Sequence, residues 1–209
     1  MSLDLWLTFV AASTALLLIP GPTILLVLSY ALTQGRKVAV ATAAGVALGD
    51  LIAMTASLLG LGAIVLASAT AFTVLKWVGA IYLIWLGIKM LRSANQAALG
   101  DLATAGSMPA RGVFTHAAAV TALNPKSIGF FIAFVPQFIQ PTQPLLPQFS
   151  ILISTFVALA ALNAFAYALL ADRLRTRISR PEVMRWLTRV GGATLIGMGV
   201  LTATLRRAI

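Results

Sequence analysis

The chain reads as an all-α membrane protein with six transmembrane helices, arranged as two inverted three-helix repeats with spans one and four broken by proline. Three observations carry that expectation. Of its 209 residues, 60% are apolar and only 10% are charged, too few charges to cover a soluble domain of this length. The apolar residues fall in runs of roughly twenty, the length a helix needs to cross a ~30 Å hydrocarbon core. Two of those runs are interrupted near their middles, one by Pro20-Gly21-Pro22 and the other by Asn124-Pro125-Lys126.

The expected spans are, roughly, residues 5–32, 38–66, 71–91, 113–139, 148–171 and 190–205. Span one has Asp4 where a secretory signal carries basic residues, and it is too long for a signal core, so it is expected to be retained. Gln34-Gly35-Arg36-Lys37 separates spans one and two, and a short link at Ser68-Ala69-Thr70 joins two and three. A Pro-rich turn from Pro141 to Pro147 follows span four, and an Arg-rich loop from Asp172 to Arg189 follows span five. The last run is short and Gly-rich. The whole chain is expected to be a single transmembrane transporter domain, with repeat one at about 1–92, a linker at about 93–111 and repeat two at about 112–209.

A net charge of +10 raises the question of nucleic acid, but the basic residues sit in short loops, a pattern of membrane orientation rather than of a phosphate-binding face. Eleven of the fifteen lie after spans one, three and five: Arg36, Lys37, Lys89, Arg92, Arg111, Arg173, Arg175, Arg177, Arg180, Arg185 and Arg189. The positive-inside rule places those loops in the cytoplasm and both termini outside. Arg206 and Arg207 oppose this. A short tail overruled by the upstream arginines accounts for them, and a re-entrant span six is the alternative. With three spans per half, the second half enters from the opposite side, so the two broken helices face each other across a pseudo-twofold axis. Matched interruptions of this kind point to a transporter's binding site.

The chain has no cysteine and one histidine, His116, which removes thiolate metal sites and leaves no metal cluster. No cofactor is expected, and no Gly-rich nucleotide loop with its lysine is present. Asp50, near the middle of span two, is the costliest residue to insert, at about 2.5–3.5 kcal/mol. Two roles fit it, a carrier of the coupling proton or a buried carboxyl that bonds across helices. Lys126 either neutralises Asp50 or draws a substrate carboxylate, or else snorkels toward the cytoplasm on its four-carbon stem. Asn124 is placed to cap the half-helix after the second break, and that half-helix start would suit a carboxylate. Thr23 and Ser127 follow the breaks and offer hydroxyls. Asn163 stands alone in span five, opposite Asp50 in the repeat scheme, where an interhelical hydrogen bond is expected. Gly45 and Gly49 form a small-xxx-small pair, which serves either a homodimer or sliding surface or internal packing. Trp6, Trp77, Trp85 and Trp186 lie near span ends, where an aromatic belt belongs.

Ile19-Pro20-Gly21-Pro22 in span one is one recognisable motif. The run Leu75-Lys76-Trp77-Val78-Gly79-Ala80-Ile81-Tyr82-Leu83-Ile84-Trp85-Leu86-Gly87-Ile88 in span three is a second. Leu123-Asn124-Pro125-Lys126-Ser127, followed by Phe134-Val135-Pro136-Gln137-Phe138, is a third. In these motifs, and over essentially its whole length, the chain resembles the LysE/RhtB family of amino-acid exporters, nearer its homoserine/threonine branch. The resemblance implies efflux of neutral amino acids or close derivatives across the bacterial inner membrane, driven by the proton gradient. It also implies that the motif residues Pro20, Gly21, Pro22, Asn124, Pro125, Lys126 and Ser127 line the route, to which the reading of the residues alone adds Thr23, Asp50 and Asn163. It assigns no role to Asp50. Besides a non-enzymatic exporter, an intramembrane enzyme using Asp50 and a non-transporting assembly subunit remain open. Basic amino acids are the alternative substrates, disfavoured by the lack of a second acid at mid-membrane depth.

Overall fold

The computed structural model describes residues 1–94, 108–140, 142–178 and 181–204. Helices account for nearly all of them, and no strand occurs among the described residues. Helix α1 (Leu3–Leu18) starts at Ser2, whose side chain accepts from the Leu5 N–H, and α2 (Pro22–Gln34) follows the first break. A 3₁₀ turn at Gly35–Val38 leads into α3 (Ala39–Ala67). It opens with Gly35 at φ 71°, a left-handed conformation that glycine adopts without a Cβ penalty. Ser68 then caps α4 (Ala69–Ser93), its hydroxyl accepting from the Ala71 N–H. Helices α5 (Ala110–Ala122) and α6 (Pro125–Ala133) flank the second break, and a 3₁₀ turn at Val135–Phe138 follows. Helices α7 (Leu145–Ile178) and α8 (Pro181–Thr204) complete the chain.

Both breaks obey the same local rule. A residue before proline is pushed out of the helical region. Ile19, Gly21 and Asn124, each followed by proline, all have extended backbone. Pro22 and Pro125 each stand at the start of the next helix, where a missing N–H costs nothing and the fixed φ is already helical. The prolines therefore end one helix and begin another, with α5 and α6 meeting at a 45° bend.

Three helical segments are long and apolar enough to cross a membrane: Pro22–Ile64, Thr73–Ser93 and Leu145–Ala171. The bent pair Ala110–Ala122 and Pro125–Phe138 makes a fourth if counted as one. The first segment contains the Gly35 turn. Helix α1 has 16 residues and is shorter than those segments, and α8 is diluted by glycine and threonine. The expected loop from Asp172 to Arg189 is not a loop. Helix α7 continues to Ile178 and α8 begins at Pro181, leaving only residues 179 and 180 outside the described set. Arginine is a strong helix former, so the helix runs on past its apolar part. The Pro-rich turn also ends early, because Pro147 belongs to the first turn of α7. Most of the expected linker, 95–107, and Arg206 and Arg207 lie outside the described residues.

Helix α3 packs on α5 and α7, α4 packs on α8 and α6, and α7 also covers α1 and α2. Small residues permit these approaches. A Cβ on Gly45 would lie 2.8 Å from the Ala117 Cβ, and one on Gly49 would lie 2.6 Å from the Ala118 carbonyl oxygen. The small-xxx-small pair therefore serves internal packing of α3 against α5. Gly87 and Gly192 face each other across α4 and α8 in the same way. A phenylalanine cluster fills the space between α1, α6 and α7, with Phe131 and Phe156 edge to face at 4.8 Å and Phe9 and Phe138 at 5.2 Å. The outward face of α4 carries exposed Val74, Trp77, Val78, Ile81 and Trp85, apolar side chains of the kind a lipid-facing surface requires.

This packing yields a paired expectation. Gly49→Ala forces a methyl into the α5 backbone and should cost about 1–3 kcal/mol. Gly60→Ala, in the same helix with open space around it, should be neutral or slightly stabilising. Thermal unfolding of both variants in detergent measures the contrast, and equal midpoints would refute the packing argument.

Candidate functional site

A helix ending inside a protein leaves its last four carbonyls without intrahelical partners. For α1 these belong to Leu16, Leu17, Leu18 and Ile19, and each accepts a hydrogen bond from a side chain of another helix. Lys126 Nζ donates to the Leu16 carbonyl at 3.1 Å and to the Ile19 carbonyl at 2.8 Å. Asn163 Nδ2 donates to the Leu17 carbonyl at 3.0 Å, and the Tyr167 hydroxyl to the Leu18 carbonyl at 3.1 Å. The Leu16 carbonyl also accepts the Ile19 N–H at 3.3 Å, and the side-chain caps of the α1 terminus come from α6 and α7. An ammonium there is also favoured by the negative end of the α1 dipole.

The start of α6 is built with equal economy. Asn124 is its N-cap, with Oδ1 accepting from the Lys126 N–H at 3.0 Å. Its Nδ2 donates to Thr23 Oγ1 at 3.0 Å, which also accepts from Thr121 Oγ1 at 3.4 Å. Thr23 stands in the first turn of α2, so this buried network ties the two breaks to each other. Tyr82 of α4 donates to the Pro125 carbonyl at 3.2 Å.

A small cavity of about 20 Å³, room for about one water molecule, lies between the breaks. Its polar lining is Thr23, Asp50, Asn124, Lys126, Ser127 and Asn163. All six were singled out from the sequence, and the structure brings them together from α2, α3, α6 and α7 and the second break. Pro20, Gly21, Pro22 and Pro125 shape the breaks without lining the cavity. Leu16, Leu17, Ile24, Val46 and Ala160 supply apolar walls.

Asp50 is 2% exposed, and its Oδ1 has no hydrogen-bond partner. A buried carboxylate oxygen left in that state is costly. Lys126, 8% exposed, shares the cavity but directs its ammonium to α1. It is buried and does not snorkel. Sequence reasoning missed Tyr167 and Thr121. Tyr167 was detectable, since it lies four residues after Asn163 and so on the same face of α7. Thr121 gave no signal beyond standing three residues before Asn124. His116 pairs with the Tyr30 hydroxyl at 2.6 Å, away from the cavity.

The capping arrangement predicts an order of effects. Lys126→Met keeps the apolar stem but strips the Ile19 carbonyl of its donor, and should lower stability by about 1–3 kcal/mol. Asn163→Ala removes one neutral bond and should cost about 0.5–1.5 kcal/mol. Chemical unfolding in detergent ranks them, and a Met variant as stable as wild type would show that the clamp is dispensable.

The LysE type translocator family matches residues 14–206. A homoserine/homoserine lactone efflux protein of Salmonella typhimurium is 37% identical over 209 residues, covering all of both chains. An uncharacterized membrane protein of Vibrio cholerae is 34% identical over 99% of this chain and all of its own. A leucine efflux protein of Salmonella choleraesuis is 28% identical over 98% of this chain and 96% of its own. No solved structure matches. With this extent of similarity, the chain belongs to the LysE type translocator family.

Proposed function

We propose that this protein is a secondary-active exporter of small neutral amino acids of the homoserine or threonine kind, or close derivatives, coupled to the proton gradient across the bacterial inner membrane. The observation that carries the reading is the cavity between two proline-broken helices, lined by Lys126 and by a buried Asp50 whose Oδ1 has no hydrogen-bond partner. Irregular backbone survives at membrane depth only where it is buried in protein or borders a cavity, and both breaks here meet at one. The names of the relatives point the same way. Homoserine and its lactone differ in whether the carboxylate is free and share the amine, and leucine adds an apolar side chain that walls such as Leu17, Ile24 and Val46 would accept.

The proposed architecture is six crossings in two inverted repeats of about 1–92 and 112–209, with α1–α2 answering to α5–α6, α3 to α7, and α4 to α8. The packing pattern supports it. Exchanging each element for its counterpart turns the α3 contact with α5 and α6 into the α7 contact with α2 and α1, both of which occur. The same exchange leaves the α4–α8 and α3–α7 contacts unchanged, whereas α4–α6 would become α8–α2, in whose place α8 meets α1. Orientation follows from the basic residues, with the ends of α2, α4 and α7 in the cytoplasm. A hydrolytic reading draws less support, because Asp50 is the one carboxylate of the lining. Dibasic substrates would bring a second cation with no second acid to receive it.

Two measurements check this reading. Single cysteines at Ser93 and Thr142 should react oppositely with an impermeant thiol reagent in intact cells, shielded at the first and labelled at the second. Labelling at Ser93 would reverse the orientation. The second measurement is transport in proteoliposomes with an imposed pH gradient, comparing wild type with Pro20→Ala/Pro22→Ala and with Pro125→Ala. A backbone N–H restored at position 20 can bond the Leu16 carbonyl, and one at position 22 the Leu18 carbonyl, displacing the caps from Lys126 and Tyr167. Both variants should express as monodisperse protein and lose export. Wild-type export by a monodisperse variant would make the breaks tolerated kinks and remove the basis of the reading.

A further inference from the structure

The cavity has two ends of opposite electrical character, and their separation on different helices bears on how a substrate of the export reading above would lie. One end is the start of α2. Gly21, its N-cap residue, has no side chain to offer and Pro22 has no N–H, so the first turn accepts no side-chain cap. Thr23 and Ile24 of that turn line the cavity. Lys126 Nζ lies against the same point, 3.4 Å from where a Cβ on Gly21 would stand. A helix N-terminus and an ammonium thus converge where an anion would be stabilised. The start of α6 differs, because Asn124 already caps it.

The other end is Asp50. Its orphaned Oδ1 calls for a cation, a donor or a proton. The elements packed against α3 are α2, α4, α5, α6 and α7, with the Gly35–Val38 turn. Among the described residues, Lys126 of α6 is the one titratable side chain from these that shares the cavity with Asp50. Tyr30 of α2, Arg36 and Lys37 of the turn, Lys76, Tyr82, Lys89 and Arg92 of α4, Arg111 and His116 of α5, and Tyr167 of α7 lie outside the lining. Lys126 acts on Asp50 by charge across the cavity while its ammonium donates to α1, so Asp50 Oδ1 keeps capacity for a hydrogen bond from a ligand.

We propose that this site, widened from its present room for about one water, takes its substrate as a zwitterion, carboxylate on the N-terminus of α2 beside Lys126 and ammonium on Asp50, and that the Asp50 carboxylate is shared with the coupling proton. Ammonium and proton then compete for the same oxygens. With the site open to the cytoplasm, an arriving ammonium displaces the Asp50 proton, which leaves to cytoplasmic water. With the site open to the outside, an external proton occupies the carboxylate and the zwitterion departs. Each turnover exports one zwitterion, imports one proton and moves one positive charge inward. Exchange follows from mutual exclusion at one side chain, with no separate proton path.

The experiment uses the purified full-length chain, titrated with L-homoserine in weakly buffered solution containing a pH dye. Binding is expected to release protons on the acid side, with the release fading as the pH rises and Asp50 has already lost its proton. N-acetyl-L-homoserine, without the ammonium, and 3-aminopropan-1-ol, without the carboxylate, should each bind at least about tenfold more weakly. Asp50→Asn should bind L-homoserine about ten- to hundredfold more weakly and release no proton at any pH. Asp50→Glu, which retains a carboxylate, should restore proton release. The ligand comparison on wild type is decisive even if the Asn variant fails to fold. Equal binding of L-homoserine and its N-acetyl form, or undiminished proton release by Asp50→Asn, overturns the proposal. Counterflow exchange of L-homoserine and L-leucine in liposomes separates the two levels. If neither is exchanged, the export reading falls and this inference with it. If exchange occurs without the expected ligand ranking or proton release, this inference alone falls.

Discussion

Four backbone carbonyls at the end of α1 set the terms for the rest of this molecule. They end a helix whose Leu16 and Ile19 are buried, and an unmet carbonyl there costs about 1–3 kcal/mol. Continuing the helix would satisfy them, but Pro20 and Pro22 forbid it. The donors come instead from Lys126, Asn163 and Tyr167, residues more than a hundred positions away. That requirement fixes where α6 and α7 must lie relative to α1. It also places a lysine ammonium deep in the protein, where only carbonyls of this kind make it tolerable. The break is therefore less a defect in α1 than the feature around which the two halves of the chain are joined.

The joint is reciprocal in design but not in chemistry. At the first break a carbonyl-rich helix end is met by donors, and Gly21 leaves the following helix start uncapped. At the second, Asn124 closes its own helix start and reaches across to Thr23. One break is left open and the other sealed, so the cavity between them is polar on unequal sides. Asp50 completes the asymmetry from α3, held beside α5 by the close approach at Gly49. A residue any larger than glycine at position 49 would meet the Ala118 carbonyl and the Thr121 side chain of α5.

The positions of the breaks were legible because proline acts locally. The pre-proline restriction and the start of a helix at proline need no tertiary information, and Asn124 as a cap follows from the same local rules. The convergence of six polar residues on one cavity was legible for a different reason. A polar side chain in an apolar run has few places to go, so each one marks an inward face. What the sequence hid depends on partners distant in the chain. Lys126 had two open roles because nothing local reveals that α1 ends beside it. The Arg-rich stretch after span five looked like a loop because charge was read as solvent exposure, whereas arginine prolongs a helix as readily as it ends a span. Helix α8 blurs the span count, since its glycines serve contact with α4 at Gly87 and Ala80 and lower its apolar content in doing so.

Under the export reading, the same constraint bears on which substrates fit. The polar groups that hold the helix ends are spent on the backbone, leaving the open start of α2, the Ser127 hydroxyl and the Asp50 carboxylate as groups with capacity for a ligand. The remaining lining, Leu16, Leu17, Ile24, Val46 and Ala160, is aliphatic. A side chain entering that part of the cavity meets no acceptor, so a short hydroxyl or an aliphatic group loses less on leaving water than a second ammonium or guanidinium would. Lys126 adds to this discrimination, because its fixed charge repels another cation in a region of low dielectric. A device that began as repair of a broken helix would thus also sort substrates by charge, admitting one ammonium and turning away two.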